Sequence, residues 1–280
     1  VPPTAEQAAQ YATLERERSY YADADKAELV MGEDWALIPS EVDPGDVLLI
    51  RHNAPGEVAW QGKKYTLKPL GSGYYSYVPI PIQLKPGEYG IGGATVTVRT
   101  KSFPTDRLTV SEQLESIKQN TERINADQKK IDKARSQSAG EFLFPPDSLF
   151  IEPVQGRLST PFGYTRYVNG KYDGSHKAID IAAPMGTPVK ASNDGVVVLA
   201  ETLYLTGNSV YIDHGMDLFS QYIHMSELKV KVGDEVKQGQ VIGLVGQTGF
   251  ATGPHLHFTF WAHNVPVNPN LFFGKTPFQW

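Results

Sequence analysis

The chain has 280 residues, 40% of them hydrophobic and 11% aromatic, with 26 basic and 31 acidic side chains giving a formal charge of -5. This is enough apolar material for one large domain or two ordinary ones, while Lys and Arg are too dispersed for a surface that tracks nucleic-acid phosphates, so no nucleic-acid partner is expected. No apolar run approaches the roughly 20 residues that span a bilayer, so no transmembrane segment is expected, and the absence of cysteine excludes disulfides and thiolate zinc sites.

The first element in chain order is a helix. Thr4-Ala5-Glu6-Gln7 has the form of a capping box, and a helical segment is expected within residues 1–39. The sequence opens without a signal-peptide pattern and on Val1, as a mature chain would, which leaves export open. From about residue 40 to 108, short β-rich runs (DVLLIRH, EVAWQG, YYSYVPIPI, TVTVRT) alternate with Pro and Gly punctuation. Their spacing predicts a small immunoglobulin-like β-sandwich. It concentrates neither His nor carboxylates, so no chemistry is assigned to it.

Residues 109–146 change period. Thr109-Val110-Ser111-Glu112 reads as another capping box, and the following run lacks Gly and Pro, with Leu114, Ile117, Ile124 and Ile131 on one side. So thin a stripe predicts a linker helix lying on a neighbouring domain rather than a coiled coil. Residues 147–280 return to β-rich runs (AIDIA, GVVVLAE, NSVYID, LFSQYIH, VIGLVG, HLHFTFW) separated by turn signals, which predicts a mostly antiparallel sheet.

Six of the seven histidines fall in this last segment. In GPHLHF, His255 and His257 occupy alternate positions of a strand, so both imidazoles leave the same face, about 6 to 7 Å apart at the base, while Leu256 and Phe258 face the core. In HKAID, His176 and Asp180 lie four apart. A straight strand would separate them by roughly 13 Å, so the segment must bend, and Asp173-Gly174-Ser175 is the expected bend. A carboxylate inside the apolar run AIDIA is costly unless paired or bound to a cation. His224 ends the run LFSQYIH. A cysteine-free zinc site takes three His or carboxylate ligands with a position left open for water. His176, Asp180 and one of the HxH pair meet that requirement, with the other histidine of the pair and His224 nearby as bases. His52, His214 and His263 are expected to face solvent.

These motifs, together with PVQGRLSTPFG, APMGTPVKASNDG, YIDHG, VGDEVKQGQVIGLVGQTGFATGPHLHF and PVNP in the same order, resemble the M23 family of zinc metallopeptidases, of LytM or lysostaphin type. The resemblance implies an antiparallel β peptidase domain over 147–280, with zinc bound by His176, Asp180 and His257 and a catalytic pair of His224 and His255. It implies a metalloendopeptidase that cuts peptide cross-links or stem peptides of bacterial peptidoglycan, using a zinc-activated water assisted by two histidines. Such an enzyme works outside the cytoplasm, in the periplasm or cell envelope or as a secreted protein. The chain departs from the family pattern at Ala178, where Gly is usual, and at Met225, where Leu is usual, and neither is a ligand. Some relatives carry a substrate-polarising Tyr upstream of the first His; Tyr167 and Tyr172 are the candidates here. The acidic pI and the lack of a pentaglycine-targeting module favour a D-alanyl to diaminopimelate bond over glycyl-glycine. Some relatives are held latent by upstream segments, and residues 1–146 are candidates for that role or for targeting. The rival reading is a non-catalytic LytM-like regulator of a partner hydrolase; such proteins lose zinc ligands, and every ligand is present here.

Overall fold

The computed structural model describes residues 35–70 and 73–274, so the helix expected at the start of the chain lies outside the described residues. The protein is mostly β. Strand Trp35–Ile38 falls inside the segment assigned above to a helix, so the first β module begins at Trp35 rather than at residue 40. A four-stranded antiparallel sheet runs in the order Trp35–Ile38, Val47–His52, Gly73–Pro79, Lys68–Leu70. A three-stranded sheet pairs Glu41–Val42, Ala94–Val98 and Gly87–Ile91, and Glu57–Trp60 with Lys63–Thr66 forms a separate hairpin. The immunoglobulin-like assignment rests on the count and spacing of these strands alone.

The run VLLI in Val47–His52 is apolar throughout because both faces of that strand are covered. Leu48 and Ile50 join Val78, Ile80, Val96 and Trp60 in the module's own core. Val47 and Leu49, on the opposite face by the two-residue period, join Tyr75, Tyr77 and the core of the C-terminal domain. The module is therefore docked on its neighbour through a shared apolar layer.

Between the two lies the connector. The single linker helix expected over 109–146 is two helices, Glu112–Ile117 and Thr121–Ala134. The break follows from the capping chemistry of Ser and Asn, whose side chains satisfy the free amides of a first turn. Ser111, rather than Thr109, caps the first helix by accepting from the Leu114 amide at 3.2 Å, and Asn120 caps the second by accepting from Arg123 N at 3.1 Å. The second helix packs Ile131 against Leu199, Leu203 and Tyr211 of the C-terminal domain, as a connector with a thin apolar stripe should. Before it, strand Thr105–Leu108, which the sequence placed at the end of the first module, pairs in parallel with Thr165–Val168 and so belongs to the C-terminal domain.

That domain is built on an eight-stranded antiparallel sheet. Its main order is Arg157–Thr160, Ile179–Ala182, His255–Ala262, Leu218–Met225, Gly207–Asp213, Gly195–Leu203, Glu235–Val236, with Val265–Val267 pairing to His255–Ala262. Val189, Val210, Ile212, Tyr222, Leu256, Phe258 and Phe260 fill the core beneath it. Smaller sheets flank it, one of which joins Thr105–Leu108, Thr165–Val168 and Lys171–Ser175. Among the described residues no helix is long and apolar enough to cross a membrane.

Candidate active site

Strand pairing brings the sequence-distant residues together. His255–Ala262 is a central strand, and Asp180 on the neighbouring strand is the direct cross-strand partner of His257, as Ala182 is of His255. Cross-strand partners in an antiparallel pair lie about 4.5 to 5.5 Å apart, so the register alone sets Asp180 beside His257. Leu256 and Phe258 are fully buried on the other face. On the far side of the same strand, Ile223 pairs with His257. Regular alternation would turn the next side chain, His224, to the opposite face, and the left-handed backbone at His224 breaks that alternation and brings its ring beside His257.

His176 arrives by a different route. Asp173-Gly174-Ser175, expected to form a bend, belongs instead to strand Lys171–Ser175, and the chain turns after it, between His176 and Ile179. Backbone bonds clamp the turn, with His176 N donating to the Tyr164 carbonyl at 2.8 Å and Gly163 N to the His176 carbonyl at 2.7 Å.

The three ligand-type groups converge. Asp180 Oδ1 lies 2.8 Å from His257 Nδ1 and 3.1 Å from His176 Nε2, and the two imidazole nitrogens are 3.4 Å apart. His176 Nδ1 is 3.0 Å from the Pro161 carbonyl and donates to it, which aims Nε2 at the cluster. Burial opposes ionisation of Asp180, yet the fields and hydrogen bonds of His176 and His257 outweigh it and hold the carboxyl well below the usual range. Burial pushes His257 down, against the pull of Asp180. Two imidazoles and one carboxylate, with ligand atoms all within 4.8 Å of one another, match the donor set of a zinc site without cysteine.

The remaining two histidines flank this trio. His255 Nε2 lies 3.9 Å from Asp180 Oδ1, and the His224 ring centroid is 5.0 Å from that of His255 and 5.8 Å from that of His257. Each is oriented through its other nitrogen, His224 Nδ1 against the Thr248 carbonyl at 2.8 Å and His255 Nδ1 against that of Gly253 at 2.8 Å. A carbonyl accepts only, so each ring carries a proton on Nδ1 and in its neutral form keeps its lone pair on Nε2. His224 is deeply buried, and desolvation, followed by the neighbouring imidazoles, pushes its pKa to about 3.

His224 also holds a left-handed backbone, φ 65, which is uncommon outside glycine and costs of order 1 kcal/mol or more. The 246–249 loop fixes it. A side chain at Gly246 would sit 2.2 Å from Ser226 N and 2.7 Å from the His224 carbonyl, so only glycine lets the loop approach so closely. The loop then carries Thr248 to the imidazole.

A groove of about 320 Å³ opens over the cluster, lined by Asp180, His224, His255 and His257, by Ser159, Thr160 and Arg166, by the loop Phe250–Pro254, and by Asp106 and Leu108 of the upstream strand. Tyr167 and Tyr172 pack against each other, with ring centroids 5.8 Å apart, and neither lines this groove. Arg166 and Asp106 are the residues that sequence reasoning missed. Arg166 Nε donates to Asp106 Oδ2 at 3.1 Å and Nη2 to Asp180 Oδ2, the outward oxygen of the carboxylate, at 3.3 Å. The pair is 60 residues apart in the chain and meets only through the parallel strand pairing.

Of the histidines expected to face solvent, His214 is fully buried. Its Nδ1 donates to the Asp194 carbonyl at 2.7 Å and its Nε2 faces Ser220 Oγ at 2.8 Å, so it is a satisfied core residue. His52 is half-buried and stacks on Trp35, and His263 is half-buried between Asp217, 3.3 Å away, and Ser76.

A β domain presenting two imidazoles and a carboxylate to one point, with two further oriented imidazoles, defines a protein with a metallopeptidase-type site. The sequence profile of Peptidase family M23 matches residues 174–269, which include all five residues, and the chain belongs to this family through that domain. Over 93 residues it is 47% identical to the peptidoglycan DD-endopeptidase ShyA of Vibrio cholerae, a match covering 33% of this chain and 22% of that protein. It is 42% identical over 131 residues to the DD-carboxypeptidase/endopeptidase Mpg of Neisseria meningitidis, covering 46% of this chain and 30% of Mpg. The match thus spans less than a third of these relatives' own length. A crystal structure of a putative peptidase M23 from Pseudomonas aeruginosa superposes with a TM-score of 0.63 at 29% identity, over 82% of this chain and 94% of that one, so the likeness extends beyond the C-terminal domain.

Proposed function

We propose that the chain is a zinc metalloendopeptidase that hydrolyses peptide bonds of bacterial peptidoglycan, outside the cytoplasm. The observation that carries this reading is the convergence of His176, Asp180 and His257, the last two lining an open groove, with His224 and His255, each held by a carbonyl at Nδ1, beside them. The named activities of similar proteins from Vibrio and Neisseria support the substrate class.

His176, Asp180 and His257 would hold the zinc, which when bound supplies a Lewis acid to polarise a peptide carbonyl and acidify water. The chain's own residues do the rest. Asp180 is fixed through its outward oxygen by Arg166 and through the other by two imidazoles, so the cluster is held in place before substrate arrives. One of His224 and His255, each locked by a carbonyl at Nδ1, accepts a proton at Nε2 from the attacking water, and that protonated imidazole then delivers the proton to the leaving amine as the C–N bond breaks. The groove's fixed walls align the peptide over the cluster.

Complete retention of both histidines and all three ligands favours the enzyme over the regulator. The test is digestion of purified peptidoglycan by the full chain, with fragments identified by mass, before and after chelation and after zinc is restored. Fragments cut at a peptide bond, lost on chelation and regained with zinc, are expected; digestion indifferent to chelation contradicts the reading.

A further inference from the structure

Arg166 stands out in the groove because it is the one permanent cation among the lining residues. Its guanidinium has five N–H donors in a fixed fork. Two are used, Nε on Asp106 and one of Nη2 on Asp180, and Nη1 has no partner among the described residues. Asp106 shows what the site accepts. It is a carboxylate carried in by strand Thr105–Leu108 and seated on one edge of the fork within the groove. The other donors remain for a second anion. Zinc held by the trio would bring two positive charges beside Asp180, leaving the guanidinium's charge available to that anion.

Position limits which anion this is. Arg166 bonds the outward oxygen of the same carboxylate whose inner oxygen faces His176 and His257, so a group bound to the fork lies only a few bonds from a carbonyl reacting at the cluster. Building on the peptidase reading above, we infer that Arg166 is a specificity-determining residue that binds a free carboxylate on the carbon carrying the scissile nitrogen of the substrate. Arg rather than Lys suits this role because its planar fork serves a carboxylate while still holding Asp180.

The test uses the full chain and a cross-linked peptidoglycan dimer peptide in which that carboxylate is free, beside the same dimer with the carboxylate converted to a carboxamide. Hydrolysis is measured for both, binding is measured by calorimetry, and metal content is checked for each variant. The wild type is expected to favour the free acid by about tenfold or more, expressed mainly in KM, as one charge-assisted hydrogen-bonded pair provides. Arg166→Gln should bring the ratio close to one and Arg166→Lys should restore part of it. Equal handling of the two dimers by the wild type overturns the inference, as does an Arg166→Gln variant that slows both dimers by one factor and keeps the preference, the signature of a residue that only positions Asp180. If the wild type cleaves neither dimer, the peptidase reading fails, and the inference then stands or falls on whether the free acid binds about tenfold tighter.

Discussion

Tyr77 carries a hydroxyl into the apolar layer between the two modules, where it packs on Phe142 and Phe272 and finds no hydrogen-bond partner among the described residues. An unpaired buried hydroxyl costs free energy that a ring of the same shape without it does not. Tyr77→Phe is therefore expected to leave stability unchanged or raise it, by up to about 1 kcal/mol, in urea titrations; a clear loss would mean the hydroxyl is satisfied. His214 makes the opposite kind of statement. Burial lowers its pKa from 6.5 to about 4, so the folded state holds the ring neutral while the unfolded chain takes up a proton below about 6.5. The contribution of neutral His214 is complete above pH 6.5 and is lost as pH falls through about 4, a swing of about 3 kcal/mol in order of magnitude. His214→Gln should flatten the stability profile between pH 7 and 4; an unchanged slope would contradict this assignment. Reading His214 as solvent-facing failed because its hydrogen-bond partners, the Asp194 carbonyl and Ser220, are neighbours only across the folded sheet.

At the scale of elements, the convergence of His and Asp side chains was legible because it follows from strand arithmetic. His255 and His257 share a face by the period of two, and the cost of a carboxylate in AIDIA singled out Asp180. What the period could not supply was pairing. Nothing in TDRL at 105–108 marks it as a partner of TRYV at 165–168, so Asp106 and Arg166 were invisible as a site pair until the parallel register joined them. The linker was misread for a local reason, because Asn120 inside a Gly-free and Pro-free run is helix-compatible by pattern yet caps a new helix in fact. The loop behind His224 gives a prediction at this scale. Gly246→Ala puts a methyl into the backbone of His224–Ser226, and is expected to cost about 2 kcal/mol or more and to cut turnover by displacing His224, with zinc content retained. Turnover within twofold of wild type would show that the loop does not set the imidazole.

For the whole molecule, the two-faced strand Val47–His52 makes the β module and the C-terminal domain parts of one packed body. The boundary suggested by composition, near residue 147, also cuts through this packing, since Phe142 and Phe144 are buried with Phe150 in the C-terminal core. A chain starting at 147 should melt well below the full protein, because losing buried aromatic rings costs about 3 to 5 kcal/mol each; an unchanged Tm would show that the core closes without them. The same cut removes Asp106 and Leu108 from the groove, so a faster or slower digestion by such a fragment reports on groove shape and stability together. The proposed division of labour has His257 holding metal and His255 handling a proton at Nε2. It is tested most directly by the rate at which His255→Ala, shown to carry zinc at the wild-type level, releases fragments from purified peptidoglycan. A fall of about a hundredfold or more is expected, the typical contribution of a positioned acid–base group, and hydrolysis near the wild-type rate would contradict it.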